Sequence, residues 1–251
     1  DILETACFPL VPYANRIADG RFVFEGRSVQ LPVLDRFAPH AIHGEGWLRS
    51  WTVESQTANR VEMVLDSSPK ADADAHGWPW PWRASQTVEL ADQGLTIILS
   101  VTNTGDAVMP TGLGLHPYFH RFADSRLTLS AEGVWLTDAR EIPERLAAVQ
   151  SITDWSDGLA LADAPFVDHA YAGWTGEAVV DGGGHRVTLR AETLARWTQI
   201  YAPADGDFFC IEPVTHRPDA HNAPDSEDCG LVCLEPGKAL SMSLKIGATT
   251  L

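Results

Sequence analysis

The strongest constraint on the fold is a series of short stretches that alternate between apolar and polar residues and end at glycine-containing turns. Residues 177–190 alternate in this way on both sides of Asp181-Gly-Gly-Gly184, which predicts a β-hairpin. Residues 21–31 predict a second hairpin that turns at Glu25-Gly26. Residues 239–246 alternate as a half-buried strand does. The pattern therefore indicates antiparallel strands joined by tight turns.

Helical periodicity is nearly absent, and residues 144–150 are the best candidate for a short helix. Regular spacing of strands and turns favours an all-β antiparallel sandwich or barrel over βαβ units. All-β domains commonly reach 251 residues, and no linker or repeat interrupts the chain, so residues 1–251 are predicted to form a single domain. The segment His76–Trp82 is too aromatic for a flexible linker, and we expect an ordered loop that packs on the core or rims a cleft.

Charge and composition exclude several classes of protein. The net charge of -16 argues against nucleic-acid binding and makes a neutral ligand more compatible than a phosphorylated one. No apolar run approaches the ~20 residues that a membrane span needs, so we expect a cytoplasmic protein with no membrane partner. The cysteines are too few and too dispersed for a disulfide framework, and they lack the spacing of a zinc site. We expect buried free thiols at Cys7, Cys210, Cys229 and Cys233.

Two ionisable residues stand where strands should be apolar. His116 follows Gly112-Leu-Gly-Leu, Glu212 follows Phe208-Phe-Cys-Ile, and each is followed directly by proline. Because proline cannot donate to a sheet ladder, we expect both residues at strand ends or bulges. A histidine and a carboxylate suit proton transfer near neutral pH, provided that they face each other.

Other polar residues could join this pair, although each has a plain structural explanation when taken alone. Arg16, which follows Asn15, could be a surface charge, and His43 before Gly44 could be a turn residue. Asp168 could cap a turn. Single residues of these kinds therefore do not establish a site, and only their combination is informative.

Taken together, these segments match a known pattern in order along the chain. The matching segments are Asn15-Arg-Ile17, Gly20-Arg-Phe22, Ile42-His-Gly44, His116-Pro-Tyr-Phe119, Asp168, Ile211-Glu-Pro213 and Leu234-Glu-Pro-Gly237. In these residues the chain resembles the aldose 1-epimerase (galactose mutarotase) family, from about residue 3 to about residue 244. His-Pro-Tyr-Phe is the most specific of the motifs, whereas a tripeptide such as Glu-Pro-Val is weak alone.

The resemblance implies a large antiparallel β-sandwich of the galactose mutarotase-like supersandwich type, with a sugar cleft across one sheet. It also implies cofactor-independent interconversion of the α and β anomers of an aldose, with no metal, by a monomer or homodimer. By motif position, Glu212 would be the base that takes the proton from the C1 hydroxyl, and His116 the acid that protonates the ring oxygen. His43 and Arg16 would hold the sugar, and Asp168 would accept a hydrogen bond from a hydroxyl. Asn15 would be a neighbour in the cleft.

The sequence departs from the family pattern in three places. The family has strands before the Asn-Arg segment, so we expect this chain to lack some N-terminal strands of the full-length protein. His120 stands where many members carry asparagine, and His169 where several carry a second acidic residue. Both changes lie near the expected cleft and leave the identity of the sugar open.

Three alternatives stay open at this stage. His40, His43, His116 and Glu212 could bind a metal ion, but the odd spacing of the first two puts them on opposite faces of a strand unless a turn intervenes. The chain could be a non-catalytic sugar-binding protein, because fold does not fix function. A hexose-6-phosphate epimerase would need basic residues at the far end of the cleft, for which the sequence offers Arg49, Arg60, Arg83 and Arg217.

Overall fold

Antiparallel strands account for most of the fold. The computed structural model describes residues 3, 5–69, 77–192 and 194–251, and these residues form 22 strands, numbered here in chain order, and six short 3₁₀-helices. The 3₁₀-helices are Ala18–Gly20, Asp35–Phe37, Gly46–Leu48, Val149–Ser151, Leu161–Asp163 and Ala220–Asn222. None of the helices in the described residues is long and apolar enough to cross a membrane.

Two large sheets and three small pairs contain these strands. The seven-stranded sheet has the spatial order β1 (Cys7–Leu10), β11 (Gly114–His120), β20 (Phe208–Val214), β19 (Trp197–Ala202), β16 (Val167–Ala172), β13 (Gly133–Thr137) and β14 (Pro143–Ala147). The nine-stranded sheet has the order β15 (Leu159–Ala160), β12 (Arg126–Leu129), β17 (Glu177–Gly182), β18 (His185–Ala191), β22 (Ala239–Thr250), β9 (Gly94–Asn103), β8 (Trp82–Ala91), β7 (Arg60–Ser67) and β6 (Thr52–Gln56). The pairs are β10 (Met109–Thr111) with β21 (Val232–Leu234), β2 (Arg16–Ile17) with β5 (Ala41–Ile42), and β3 (Arg21–Phe24) with β4 (Arg27–Gln30).

The core lies between the two large sheets, where one continuous apolar cluster contains residues from both. Because side chains alternate along a strand, Phe209 and Ile211 of β20 enter this core while Cys210 and Glu212 point to the opposite face. Each fully buried side chain of this size contributes about 1.5–3 kcal/mol through burial. The same alternation that fills the core thus delivers polar side chains to the outer face of the seven-stranded sheet. The predicted all-β sandwich is confirmed.

Both predicted hairpins are confirmed. Strands β17 and β18 pair around the two-residue turn Gly183-Gly184, and β3 and β4 pair around Glu25-Gly26. All four turn residues have positive φ, between 48° and 77°, which is the conformation of the type I′ hairpin turn. Glycine provides this conformation at three of the four positions without steric cost.

The predicted helix at residues 144–150 is wrong. Residues 143–147 form β14, which pairs with β13 through partners such as Leu146 opposite Trp135. A short 3₁₀-helix, Val149–Ser151, follows the strand. Pairing with the sheet edge therefore overrides the weak helical preference of this short segment.

The tryptophan-rich segment packs on the core, which is one of the two arrangements expected for it. Trp78, Trp80 and Trp82 are all buried and belong to the main apolar cluster. His76, the first residue of the predicted loop, lies outside the described residues. The prediction of free cysteines is confirmed, but only Cys210 is fully buried, because Cys7 and Cys229 are partly buried and Cys233 is exposed.

Candidate active site

Strand register sets the predicted acid and base side by side on the outer face of the seven-stranded sheet. Gly114 pairs with Val214 and Tyr118 with Cys210, so His116 stands opposite Glu212. On the flanking strands, Phe8 pairs with His116 and Gln199 pairs with Glu212. These four residues form a first row across the sheet, in the order Phe8, His116, Glu212 and Gln199.

A second row lies two residues away from the first row on β11, β20 and β19, and it extends to β16. Tyr118, Cys210, Tyr201 and Asp168 are partners across β11, β20, β19 and β16. Residues two apart in a strand share a face, so both rows project from the same side of the sheet. The floor of the site is therefore specified by strand pairing and not by a flexible loop.

The prediction that His116 and Glu212 lie at strand ends or bulges is wrong. Each lies within a seven-residue strand, with its following proline, Pro117 or Pro213, also inside that strand. The prolines are tolerated because the pairing between β11 and β20 is interrupted beside them. The paired residues of β11 pass from Gly114 directly to Tyr118, and the register is the same on both sides of the interruption. The interruption falls beside the two ionisable side chains.

His116 and Glu212 are in direct contact. Nε2 of His116 lies 3.2 Å from Oε1 of Glu212, and the two residues are only 8% and 3% exposed. The two side chains therefore face each other, as the sequence analysis required, and lie closer together than the width of a pyranose ring. Directly opposed residues on neighbouring antiparallel strands have their Cβ atoms only about 4.5–5.5 Å apart, which brings the ends of these side chains together.

Burial drives this pair toward its uncharged form. Loss of water lowers the pKa of His116 from 6.5 to about 4. Burial, followed by the nearby charge of Asp168, raises the pKa of Glu212 well above its ordinary value, against an opposing effect of Arg16. An uncharged pair holds one exchangeable proton between the carboxyl group and the imidazole Nε2.

Arg16, Asp168 and Gln199 form a connected polar group beside the pair. Nε2 of Gln199 donates to Oδ1 of Asp168 over 2.5 Å, and a guanidinium nitrogen of Arg16 donates to Oδ2 over 3.3 Å. The same nitrogen of Arg16 also donates to Glu141 over 2.5 Å. Arg16 is thus held in the site by two carboxylates and is not a free surface charge.

Asn15 and His43 lock their two loops together through the backbone. The backbone N–H of Asn15 donates to Nδ1 of His43 over 3.1 Å, and the backbone N–H of His43 donates to the backbone carbonyl of Asn15 over 3.0 Å. Both residues have positive φ, 57° and 63°, a conformation that costs energy for residues other than glycine. This reciprocal pair of hydrogen bonds holds the strained conformation and aims both residues into the site.

The hydrogen bond to Nδ1 fixes the proton position on His43. A ring nitrogen that accepts a hydrogen bond carries no proton, so the neutral ring has its proton on Nε2. Burial, reinforced by His116 and Arg16, lowers the pKa of His43 well below 6.5, which keeps the ring neutral. His43 therefore presents an Nε2–H donor.

The metal-site alternative does not fit this arrangement. Possible ligand atoms of His43, His116 and Glu212 lie within 4.8 Å of one another, but His43 has no free lone pair, because Nδ1 accepts from Asn15 and Nε2 carries the proton. His40 is not part of this cluster: its Nδ1 accepts from the backbone N–H of Asp19 and its Nε2 donates to the Arg140 carbonyl. The histidines are therefore arranged as hydrogen-bonding groups.

A cavity of about 900 Å³ lies over these rows and brings all six predicted site residues together. Its lining includes Asn15, Arg16, His43, His116, Asp168 and Glu212. Cavities that hold small molecules typically measure about 300–1,000 Å³, so the space accommodates a sugar with room to spare.

The arginines considered for phosphate binding do not line this cavity. Each is paired with carboxylates elsewhere: Arg49 with Glu45, Arg60 with Glu62, Arg83 with Asp66 and Glu54, and Arg217 with Glu227. The cavity instead contains Arg16, which is paired with Glu141 and Asp168, Arg140, which is paired with Asp19, and Arg36, whose guanidinium lies over the ring of Phe37.

The sequence motifs did not identify several residues of the cavity, among them Gln199, Tyr118 and Glu141. Gln199 is 4% exposed within β19, and the available signal was an amide side chain inside a buried strand. Tyr118 belongs to the His-Pro-Tyr-Phe motif but received no role. Glu141 lies in the turn between β13 and β14, and no local sequence pattern indicated that it reaches Arg16.

Comparison with known proteins identifies the family of this chain. The profile of the family described as "Aldose 1-epimerase" matches residues 2–247. The uncharacterized protein YphB of Escherichia coli K12 is 32% identical over 255 residues, which cover 97% of this chain and 84% of YphB.

Solved structures show the same fold. A crystallised Escherichia coli K12 protein, b2544, superposes with a TM-score of 0.87 at 30% identity, over 100% of this chain and 86% of that one. A galactose mutarotase-like protein of Clostridium acetobutylicum gives a TM-score of 0.84 at 21% identity, over 98% and 79% of the two chains. The chain belongs to the aldose 1-epimerase family.

Proposed function

We propose that this protein is an aldose 1-epimerase that interconverts the α and β anomers of a neutral aldose in the cytoplasm. The observation that carries the proposal is the contact between His116 and Glu212 on the floor of a cavity large enough for a sugar. Ring opening removes a proton from the C1 hydroxyl and adds one to the ring oxygen. A base and an acid that act on one small molecule therefore suffice for the reaction.

The pair contains the one proton that this exchange needs. In the proposed cycle, Glu212 accepts the C1 hydroxyl proton and His116 protonates the ring oxygen. The C1–C2 bond of the open aldehyde then rotates, and the ring closes on either face with the two proton transfers reversed. In the free protein, burial favours the proton on the Glu212 side. Hydrogen bonds from the sugar hydroxyls to the carboxylate would favour its ionised form and move that proton to His116.

The remaining residues orient the sugar. The Nε2–H of His43 points a donor at the same region as His116, since the two rings meet edge to face with centroids 5.4 Å apart. Asp168 offers carboxylate oxygens to hydroxyl groups, and Gln199 and Arg16 fix its orientation. Phe8 stacks on His116 at 4.4 Å and limits the rotation of the imidazole.

Polarimetry of freshly dissolved α-anomers tests this function directly. We expect the protein to accelerate the approach to the equilibrium rotation, and Glu212→Gln to lose about 10²–10⁴-fold in rate. Glu89→Gln, which changes an exposed carboxylate on the other large sheet, is the matched control and should keep the full rate. A wild-type protein that binds sugars without accelerating mutarotation would be a sugar-binding protein, and the proposal would be wrong.

A further inference from the structure

The turn that joins β13 to β14 forms part of the cavity wall and is built around Asp138. Oδ1 of Asp138 accepts from the backbone N–H of Arg140 over 2.8 Å and from that of Ile142 over 3.0 Å. The backbone N–H of Glu141 donates to the Asp138 carbonyl over 3.1 Å. The pairing of β13 with β14 shifts its register beside this turn, and such irregularities often re-aim a side chain.

Two contacts dock this turn against the segments that carry His40 and Asp19. Nε2 of His40 donates to the Arg140 carbonyl over 2.9 Å, and the guanidinium of Arg140 pairs with Asp19. Ala139, Arg140 and Glu141 all line the cavity. The position of Glu141 at the cavity is therefore set by hydrogen bonds and an ion pair on both sides of it.

Turn formation does not explain a glutamate at position 141. The residue has a φ of 64°, in the left-handed region that glycine and asparagine adopt more readily. Its side chain is 61% exposed, yet Oε2 accepts from Nη2 of Arg16 over 2.5 Å. Glu141 thus occupies a strained position from which its carboxylate contacts the arginine of the site.

One guanidinium nitrogen of Arg16 serves two carboxylates. The nitrogen that binds Glu141 also donates to Oδ2 of Asp168 over 3.3 Å. The side chains of Arg16 and Asp168 are only 15% and 18% exposed, so salt screens their charges weakly. A guanidinium has five N–H groups, more than these two contacts use. Arg16 can therefore donate to a sugar hydroxyl while its charge is compensated.

The other charges near the turn do not favour an anion either. Arg140, the second arginine at the turn, is compensated by Asp19. Burial raises the pKa of Glu212, so in the free protein this carboxyl group adds no charge. The net charge of the chain is -16, which repels anions at long range. Loss of the Glu141 charge would therefore leave Arg16 with Asp168 as its one carboxylate partner among the described residues.

From these contacts we infer that Glu141 is a specificity-determining residue, which compensates the charge of Arg16 and so excludes sugars that carry a phosphate or carboxylate group. The inference rests on the proposed function and names the residue that selects neutral substrates. Asp168 and Glu141 act on the same cation from the sheet and from the turn. The neutral sugar uses Arg16 as a hydrogen-bond donor, and an anionic sugar gains little from it.

Polarimetry of glucose, glucuronate and glucose 6-phosphate with the wild type and with Glu141→Gln tests the inference. Glutamine keeps an oxygen that can accept from Arg16, so the substitution removes the charge and keeps the contact. A unit charge about 6 Å from an anionic group changes its affinity by about tenfold at a dielectric constant of about 40. We therefore expect the ratio of glucuronate to glucose kcat/KM to rise about tenfold. The ratio for glucose 6-phosphate should rise further, since a phosphate carries nearly two charges.

The gain must be electrostatic if the inference holds. Glu141→Lys, which reverses the charge, should raise both ratios more than Glu141→Gln does. The gain should come mainly from a lower KM for the anions and should shrink when the ionic strength is raised from about 0.05 M to about 0.5 M. Glu144→Gln removes an exposed carboxylate of β14 that does not line the cavity, and both ratios should keep their wild-type values. An equal change for all three sugars in Glu141→Gln would indicate a disturbed turn and overturn the inference.

Binding separates failure of this inference from failure of the proposed function. Isothermal titration with the three sugars compares Glu212→Gln with the double variant that also carries Glu141→Gln. If no sugar is turned over but the second substitution raises the affinity for the anions relative to glucose, the reaction is wrong and the charge selection stands. If glucose is turned over but neither the kcat/KM ratios nor the affinity ratios respond to Glu141→Gln, the function stands and the inference is overturned. A wild-type protein that prefers glucose 6-phosphate to glucose would overturn the inference as well.

Discussion

The buried side chain of His216 should make the free energy of unfolding fall at acid pH, and the size of this loss can be calculated. The residue is 1% exposed, its Nε2 accepts from the Ala14 amide, and its Nδ1 donates to the Arg217 carbonyl. Burial lowers its pKa from 6.5 to about 4. The folded state therefore binds fewer protons than the unfolded state below pH 6.5, and stability is present above 6.5 and lost as the pH falls toward 4.

The magnitude follows from the size of the shift. A pKa difference of 2.5 units, from 6.5 to about 4, corresponds to about 3 kcal/mol in full. About 2 kcal/mol of this is lost between about pH 7.5 and about pH 5. Glu212 and Asp219, whose pKa values are raised, act in the opposite sense, so the contribution of His216 must be isolated by comparing variants.

Urea unfolding of the wild type and of His216→Gln at these two pH values isolates the contribution of His216. Glutamine keeps an acceptor and a donor but does not titrate. Acidification should therefore lower the free energy of unfolding of the variant by about 2 kcal/mol less than that of the wild type. The variant is less stable at both pH values, because its hydrogen bonds fit less well. His185→Gln, at an exposed hairpin residue, should keep the wild-type pH dependence. An unchanged pH dependence in His216→Gln would refute the reasoning.

Three other changes test the packing around His216 and the arrangement of the site. Gly112→Ala should destabilise the protein by about 1–3 kcal/mol, because the added Cβ would lie 1.9 Å from the ring of His216, whereas Gly77→Ala meets nothing within 4 Å and should be neutral in thermal unfolding. Asp168→Asn should raise KM about tenfold or more in polarimetry, since a neutral amide loses its charge-assisted contact with the site arginine, and the exposed Asp157→Asn should not. Dialysis against a chelator should leave the rate unchanged, because neither nitrogen of His43 is free to ligate, and a loss restored by added zinc would contradict that arrangement.

The sequence predicted much of the local structure, and its six candidate site residues all line one cavity. Turn chemistry identified the hairpins at Glu25-Gly26 and Gly183-Gly184, because positive φ at both turn positions restricts the residues that fit. The six candidate residues come together because each is fixed by strand pairing or by backbone hydrogen bonds. Such local rules can be read from the chain itself.

The errors arose where the outcome depends on the partner strand. Proline after His116 and after Glu212 indicated strand ends, but an interrupted ladder admits both prolines inside paired strands. The direct contact between the two side chains follows from register, which the sequence of either strand alone does not specify. Gln199 was missed for the same reason, since only its position opposite Glu212 makes it part of the site.

A double-mutant cycle in the polarimetric assay tests the central claim, that His116 and Glu212 act as one acid–base pair sharing a proton. Glu212→Gln and His116→Gln should each lower kcat by about 10²–10⁴-fold. Because groups that work as a unit are strongly non-additive, the double variant should be no slower than the slower single variant by more than a few-fold. Two single losses that multiply in the double variant, or a single variant with the full rate, would contradict the account.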